Sequence, residues 1–418
     1  MLHLGFKLVN TFNYFAELTY PFFAKSEFYT KILSFFPDPV VEDCLSKDKR
    51  RHGICMNRND CREQRGISSG PCALGLGVCC VFTTSCSGEV LRNQTYITSP
   101  GFPNLIDQPM NCSVLVKKID NQISQLRIDF LHFNVGQPNR KTGVCDDDVM
   151  LVRSGERTFQ LCGWNSGQHI YMDVGEEPVT INFRLLGGLV SRMWELRVVQ
   201  LGFEQRAPAG CLQYHQSANG TLRTLNYLPG NGRYLANHDY LICMRQEYGM
   251  CSVAYSPCSS DSFRIGGPRG TGYNDTSALL SAGDESQEDD EGSGVGSERL
   301  SMVGVDRCKD RVLIPCDFEE FITPGNDVAG ICDLEHCGTS LCDTRNLGGG
   351  RRSGSTSTES MMSATATPGG SGASACRVET SALPFHIRVA FGSGGQNGSS
   401  PEDNIGMCLN YEQLPCLA

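Results

Sequence analysis

Three kinds of side chain in this sequence could do chemistry: the carboxylates Asp146–Asp148, eight histidines and 22 cysteines. Carboxylates in series can bind cations or act as acid and base, and histidine serves as a proton carrier or metal ligand. Cysteines cross-link, or hold zinc where two Cys-x-x-Cys knuckles combine. No GDSGG-type serine elbow is present, and no His and Asp stand in surroundings that suggest a triad. HExxH is absent as well. The histidines scatter, mostly beside strand-like runs (His132, His169, His386), where a packed or surface role is the ordinary one. There is no pair of Cys-x-x-Cys knuckles and no Cys/His clustering at ligand spacing. Cross-linking is the chemistry left, so the chain reads as non-enzymatic and without a cofactor.

An even and dense set of cysteines favours disulfides and an oxidising compartment. Five N-x-[ST] sequons fit the same setting: Asn93, Asn111, Asn219, Asn274 and Asn397. Asn274 lies in a polar stretch and is the best placed, whereas Asn111 adjoins Cys112, where a sugar competes with disulfide packing. The net charge of −10 argues against nucleic acid or an anionic membrane as partner. No apolar run is long enough to span a bilayer. A secretion signal needs an uninterrupted apolar centre, yet Lys7 and Glu17 break the N-terminal stretch. Residues 1–40 therefore read as a poor signal or a mis-assigned start, and the cysteines favour the second.

The elements that must position these residues fall into three blocks. Residues 41–83 carry Cys44, Cys55, Cys61, Cys72, Cys79 and Cys80, a knot too short to bury much core. Adjacent Cys79 and Cys80 cannot easily bond each other, so each reaches back to an earlier partner; fifteen pairings remain open. Its charged run Lys47–Arg51 reads as a solvated loop. Residues 84–203 alternate with period two: Leu126, Ile128 and Phe130 face one way, Arg127 and Asp129 the other. Ile181, Phe183 and Leu185 repeat the pattern, as do Trp194, Leu196 and Val198. Residues 208–418 present the same order in degraded form, with CKDRVLI (Cys308 to Ile314) parallel to CDDDVMLV and HCG (His336 to Gly338) parallel to LCG. GTLRTLNY (Gly220 to Tyr227) stands in place of the SPGFP turn, and PFHIRVAF and CLNY read as closing strands. Two stretches with little to bury interrupt this unit, 281–297 and 347–375. Both are expected to be flexible loops, which a sandwich tolerates because loop length costs little. Arg351-Arg352 in the second is the easier target for a protease. The fold class is all-β, with two tandem disulfide-bonded sandwiches of jelly-roll type after a small cysteine-rich knot.

The order Cys86, SPGFP, Cys112, CDDDVMLV and LCG resembles the CUB domain, an extracellular module that binds proteins or sugars. The knot resembles the clip domain of arthropod extracellular proteases, which also ends in Cys-Cys. The resemblances imply the pairs Cys44–Cys79, Cys55–Cys72, Cys61–Cys80, Cys86–Cys112 and Cys145–Cys162, with Cys211–Cys243 and Cys308–Cys337 in the second unit. Cys316 and Cys332 could bond each other, while partners for Cys251, Cys258, Cys342, Cys376, Cys408 and Cys416 are not assigned. Many CUB domains hold calcium with three acidic residues. Asp148 matches one, but the Glu position falls near Gly136 and the last loop, FRLLGGL, has no acid; in the second unit Asp310 stands one residue nearer its cysteine. The resemblance therefore leaves Asp148 as a remnant at the start of a solvated strand, with Glu176 and Glu177 the only rescuers, and implies no typical metal site. The expected partner is an extracellular protein, a protease or a matrix component. The alternative is a carbohydrate- or pattern-binding protein of innate defence, with Trp164 and Tyr171 as stacking rings; Tyr171, alternating with Ile170, better fits a core role.

Overall fold

The computed structural model describes residues 43–186, 190–266, 308–315, 335–342, 376–393 and 404–416. The segment 1–40, the insertions 281–297 and 347–375 with Arg351-Arg352, and Asn274, Asn397, Cys316 and Cys332 lie outside the described residues.

The knot is a four-stranded sheet in the order β1 (Asp43–Leu45), β2 (His52–Met56), β4 (Gly77–Val81), β3 (Ile67–Cys72). A short helix α1 (Arg58–Glu63) starts where the Asn57 side chain accepts the Asn59 N–H. Successive strand residues point to opposite faces. Cys79 and Cys80 on β4 therefore reach different partners, Cys44 and Cys61, while Cys55 bonds Cys72. Gly53 is glycine because a Cβ there would lie 2.5 Å from the Cys80 carbonyl oxygen. Lys47, Lys49 and Arg50 are exposed on the β1–β2 turn, as a solvated loop requires.

The next compact unit starts at Val81 rather than at residue 84 and runs to the C-terminus. Its first strand, β5 (Thr83–Thr84), pairs with β7 (Gln94–Thr98), which draws the end of the expected knot into the sandwich. The remaining strands are β6 (Glu89–Val90), β8 (Met110–Val116), β9 (Ile123–Asn134), β10 (Asp148–Ser154), β11 (Arg157–Leu161), β12 (His169–Asp173), β13 (Val179–Leu185) and β14 (Met193–Gly202). One sheet runs β11-β10-β13-β8-β6 and the other β12-β9-β14-β7-β5. Leu126, Ile128 and Phe130 enter the core between the sheets, as do Ile181, Phe183 and Leu185. Trp194 is fully buried and stacks on Phe183, rings 4.0 Å apart, joining the two sheets. Phe130 and Phe133 both point inward although three residues apart, because the β9–β14 register shifts at Glu195/Leu196 and leaves Leu131 as the extra residue of a bulge.

The second sandwich repeats this plan without a counterpart of β5, and its β19 pairs with β24 beside β18. It contains β15 (Cys211–His215), β16 (Asn219–Arg223), β17 (Asp239–Met244), β18 (Met250–Pro257), β19 (Phe263–Arg264), β20 (Arg311–Leu313), β21 (Glu335–His336), β22 (Val378–Thr380), β23 (His386–Ala390) and β24 (Gly406–Pro415). Its sheets run β21-β20-β23-β17-β15 and β22-β18-β24-β16. The CKDRVLI strand thus occupies the place of CDDDVMLV, and GTLRTLNY supplies both a strand, β16, and the turn after it. That turn closes with Tyr227 N–H on Thr224 O, as Phe102 N–H closes on Ser99 O in the first unit. Asn226 takes the left-handed φ of +60° that Gly101 takes at +72°.

The structure contains Cys86–Cys112, Cys145–Cys162, Cys211–Cys243 and Cys308–Cys337. It also joins Cys251 to Cys416, Cys258 to Cys408 and Cys342 to Cys376. Among the described residues no cysteine is free. Titration of thiols in the denatured, unreduced protein is expected to give zero; several reactive thiols would break the disulfide framework.

Candidate functional site

At one end of the first sandwich three loops meet on Asp148. Asp148 opens β10 opposite Leu185, and it is buried rather than solvated; only Asp146 and Asp147 face water. The Arg192 guanidinium donates to it twice, Nε to Oδ2 at 2.7 Å and Nη2 to Oδ1 at 3.1 Å, and neither side chain is exposed to solvent. The Gly136 N–H donates to the same Oδ2 at 2.8 Å. A Cβ on Gly136 would lie 2.8 Å from that oxygen, so the backbone carrying the expected Glu position leaves no room for a side chain there. Arg192 Nη1 also donates to the Asp107 carbonyl, and the Arg192 backbone pairs with Ile106 in both directions.

This arrangement corrects two expectations. Asp148 does not open a solvated strand but anchors a buried ion pair with Arg192, since burying a lone carboxylate costs several kcal/mol and pairing offsets that cost. Glu176 and Glu177 cannot assist it. They line a depression with Ser154, at the far end of β10, about 20 Å from Asp148 at the usual strand rise. Calcium takes six to eight oxygen ligands, and the acidic set here does not fit it. Sequence reading passed over Arg192 because it sought acids in the last loop; the signal was a lone arginine two residues before the buried Trp194.

The same place in the second sandwich is closed differently. Asp310 accepts the Tyr234 hydroxyl at 2.6 Å and the Gly392 N–H at 2.7 Å. Burial, then Asp310, push the Tyr234 hydroxyl far above its ordinary range, so it stays a donor.

The two sandwiches share a seam. Asn226 accepts the Trp164 N–H at 2.8 Å and donates to Gln137 Oε1 and the Arg233 carbonyl; its own N–H donates to Asn165 Oδ1 at 2.7 Å. The approach is close: a Cβ on Gly163 would lie 2.1 Å from Asn226 Oδ1. Further along, His169 Nε2 receives the Tyr214 N–H at 3.1 Å, and its ring stands 5.2 Å from that of His215. Burial first, then Arg127, lowers His169 to a pKa of about 4, and burial with His169 lowers His215 equally. His238 Nε2 lies 3.1 Å from the Gln160 carbonyl beside a cleft of about 500 Å³ between the sandwiches. Tyr171 is buried, yet not in the sandwich core: it packs with Ala207, Cys211 and Cys243 at this seam, while Ile170 points inward. Trp164 remains 40% exposed. The two rings therefore form no joint platform for a sugar. Of the other expected histidines, His132 sits 3.9 Å from Glu195 and His386 bonds the Pro384 carbonyl. Asn93, Asn111 and Asn219 are all exposed.

Among the described residues no set of three His, Cys, Asp or Glu is grouped to hold a metal ion, and no helix is long and apolar enough to cross a membrane.

The CUB domain family model matches residues 86–197, and the animal CUB domain model matches residues 208–414. No curated protein matches the chain. Among solved structures, the MASP-1 CUB2 domain bound to Ca2+ is 18% identical, covers 27% of this chain and 98% of its own, with a TM-score of 0.24. The CUB1-EGF-CUB2 domains of rat MASP-1 are 13% identical, covering 79% of this chain and 99% of that one at a TM-score of 0.23. The full extracellular region of zebrafish Gpr126/Adgrg6 is 13% identical, covering 44% and 22%, at 0.24.

Proposed function

The chain belongs to the CUB-domain family, whose members are extracellular protein-interaction modules, and on that premise we propose that it is a secreted, non-catalytic protein that binds another extracellular protein through loops at the end of its first sandwich. The observation that carries this reading is the apolar exposure at that end. Leu105, Leu186 and Val190 are each more than 40% exposed on loops that flank Asp148 and Arg192, and Trp164 stands beside Gly163 on the same side. Loops held by a buried ion pair and presenting apolar side chains are suited to a protein anchor, because little ordering entropy is lost on binding. The partner class is a protease or a matrix component. In this reading Cys44–Cys80 is a clip-like knot and Cys211–Cys416 a single second CUB domain despite its insertions.

Crosslinking capture from extracellular fluid is expected to retain a defined protein with the full chain. A Leu105→Ser, Val190→Ser variant should weaken that capture by roughly tenfold or more, the effect of losing interface anchors. A glycan array bound by the full chain, with no protein captured, would instead support the carbohydrate-binding alternative. That alternative rests on Trp164 alone, since Tyr171 is enclosed at the seam.

A further inference from the structure

We propose that a guanidinium takes the structural place of a divalent cation in the first sandwich: Arg192, locked on Asp148, organises the binding-end loops so that they keep their shape at any calcium concentration. The claim holds whatever the partner proves to be. Asp148 is the buried carboxylate at the point where the segments around residues 105–107, 134–137 and 190–192 converge; that of Asp107 is exposed. Both of its oxygens are already engaged, Oδ2 by Arg192 Nε at 2.7 Å and Gly136 N–H at 2.8 Å, and Oδ1 by Arg192 Nη2 at 3.1 Å. A planar fork matches a carboxylate in two parallel bonds, which a spherical ion cannot do.

Charge gives the same answer. One guanidinium and one carboxylate sum to zero inside a site with no solvent exposure. A divalent ion on one carboxylate would leave a net positive charge buried, an arrangement that low-dielectric surroundings oppose. Arg192 does for the loops what a coordinated ion would do, since it also bonds the Asp107 carbonyl through Nη1 and pairs its backbone with Ile106. Ser191 adds a bond from its hydroxyl to Asp107 Oδ1. The second sandwich supports the inference independently. Its counterpart Asp310 is likewise engaged by protein donors, the Tyr234 hydroxyl and the Gly392 N–H. Neither acidic anchor is left for a metal to complete.

The test begins with thermal unfolding of the secreted full chain in EDTA and in 5 mM calcium chloride. The midpoint is expected to agree within about 1 °C, because nothing binds; a calcium site with a dissociation constant a hundredfold below the added concentration would raise it by roughly 5–10 °C. Such a rise would overturn the proposal. Arg192→Met and Asp148→Asn are each expected to lower the midpoint by about 10 °C or more, since each leaves one buried partner uncompensated. The double variant Asp148→Asn, Arg192→Met should recover at least half of the larger single loss, because it removes both charges together. A double variant that loses the sum of the two single losses would also overturn the proposal, showing that Arg192 is not the counter-ion of Asp148. If either single variant fails to be secreted, the calcium titration of the natural chain still decides.

Discussion

Acidification from pH 7 to pH 4 is expected to part the two sandwiches before either one unfolds. His169 and His215 face each other across the seam and are held neutral, with pKa values lowered to about 4 from an ordinary 6.5. The sign follows from which state binds more protons. Parted or unfolded, each ring titrates near 6.5; docked, near 4. Between those values the separated state takes up protons that the docked state refuses, so docking weakens as pH falls through 6.5 and the loss is complete near pH 4. The difference between 6.5 and about 4 corresponds to on the order of 3 kcal/mol for one histidine at the low end of that window, and the two together to less than twice that, since His169 is part of what lowers His215. The surrounding charges do not cancel this. Arg127 lowers both rings, and Asp129, which would raise His169, is already paired with Arg127 and Arg197 at 2.8 Å. From the second sandwich the Tyr411 ring stands 6.0 Å from that of His215, while Tyr214 meets His169 through its backbone and packs its ring on Tyr171; burial raises both phenols. Against this, the Tyr214 carbonyl 3.0 Å from His169 Nε2 would accept from the protonated ring, the smallest of the influences on it.

Each sandwich is cross-linked internally, and no observed disulfide crosses the seam, so separation is the easier response to acid. Small-angle scattering should show the radius of gyration rising between pH 6.5 and 4 while, in a Trp164→Phe background that leaves buried Trp194 as the one tryptophan, fluorescence stays native. In a His169→Gln, His215→Gln variant the rise should shrink to the part carried by His238, which burial holds at a pKa of about 4 beside the Gln160 carbonyl across the same seam. A radius unchanged down to pH 4 in the natural chain would show that the seam does not depend on these neutral rings.

The second large effect is expected from Asn226→Ala, with a loss of about 4 kcal/mol in urea unfolding of the two-sandwich unit. Alanine at this position loses the acceptor for the Trp164 N–H and the donors to Gln137 and the Arg233 carbonyl. A buried group left without a partner costs about 1–3 kcal/mol, and a non-glycine residue without a polar side chain adds about 1 kcal/mol at a left-handed φ. Asn226→Gly is the informative companion. It removes the same side-chain bonds but accepts the φ of +60°, so it should be less damaging by about that last amount. If Asn226→Ala unfolds within 1 kcal/mol of the natural chain, its side-chain bonds are exchanged readily for water and do not fix the seam.

Residue order alone carried most of the architecture, because the governing rules are local. A period of two places Leu126, Ile128 and Phe130 on one face whatever lies opposite, and it sends Cys79 and Cys80 to different partners. Repetition of cysteine contexts, with GTLRTLNY in place of SPGFP, marked the second unit as a copy of the first, while the match of Asn226 with Gly101 emerged only from their shared left-handed φ. The bulge at Leu131 was not legible, since one extra residue in a strand is defined only against its neighbour β14; Phe133 changes face on that account. Tyr171 has the alternation of an ordinary strand residue, and only the docking of β15 turns its outer face into an interior. Cys251 and Cys416 are 165 residues apart, and nothing between them announces that β18 and β24 are partners. The Asp148–Arg192 pair shows the division most clearly. The sequence displays the carboxylate in its expected motif and shows that its acidic companions are missing. What neutralises that carboxylate depends on which loops converge in space, and convergence is a property of sheet closure rather than of spacing. The tertiary structure brings an arginine 44 residues away onto it, because a charge enclosed among apolar side chains must find its counter-ion within the fold.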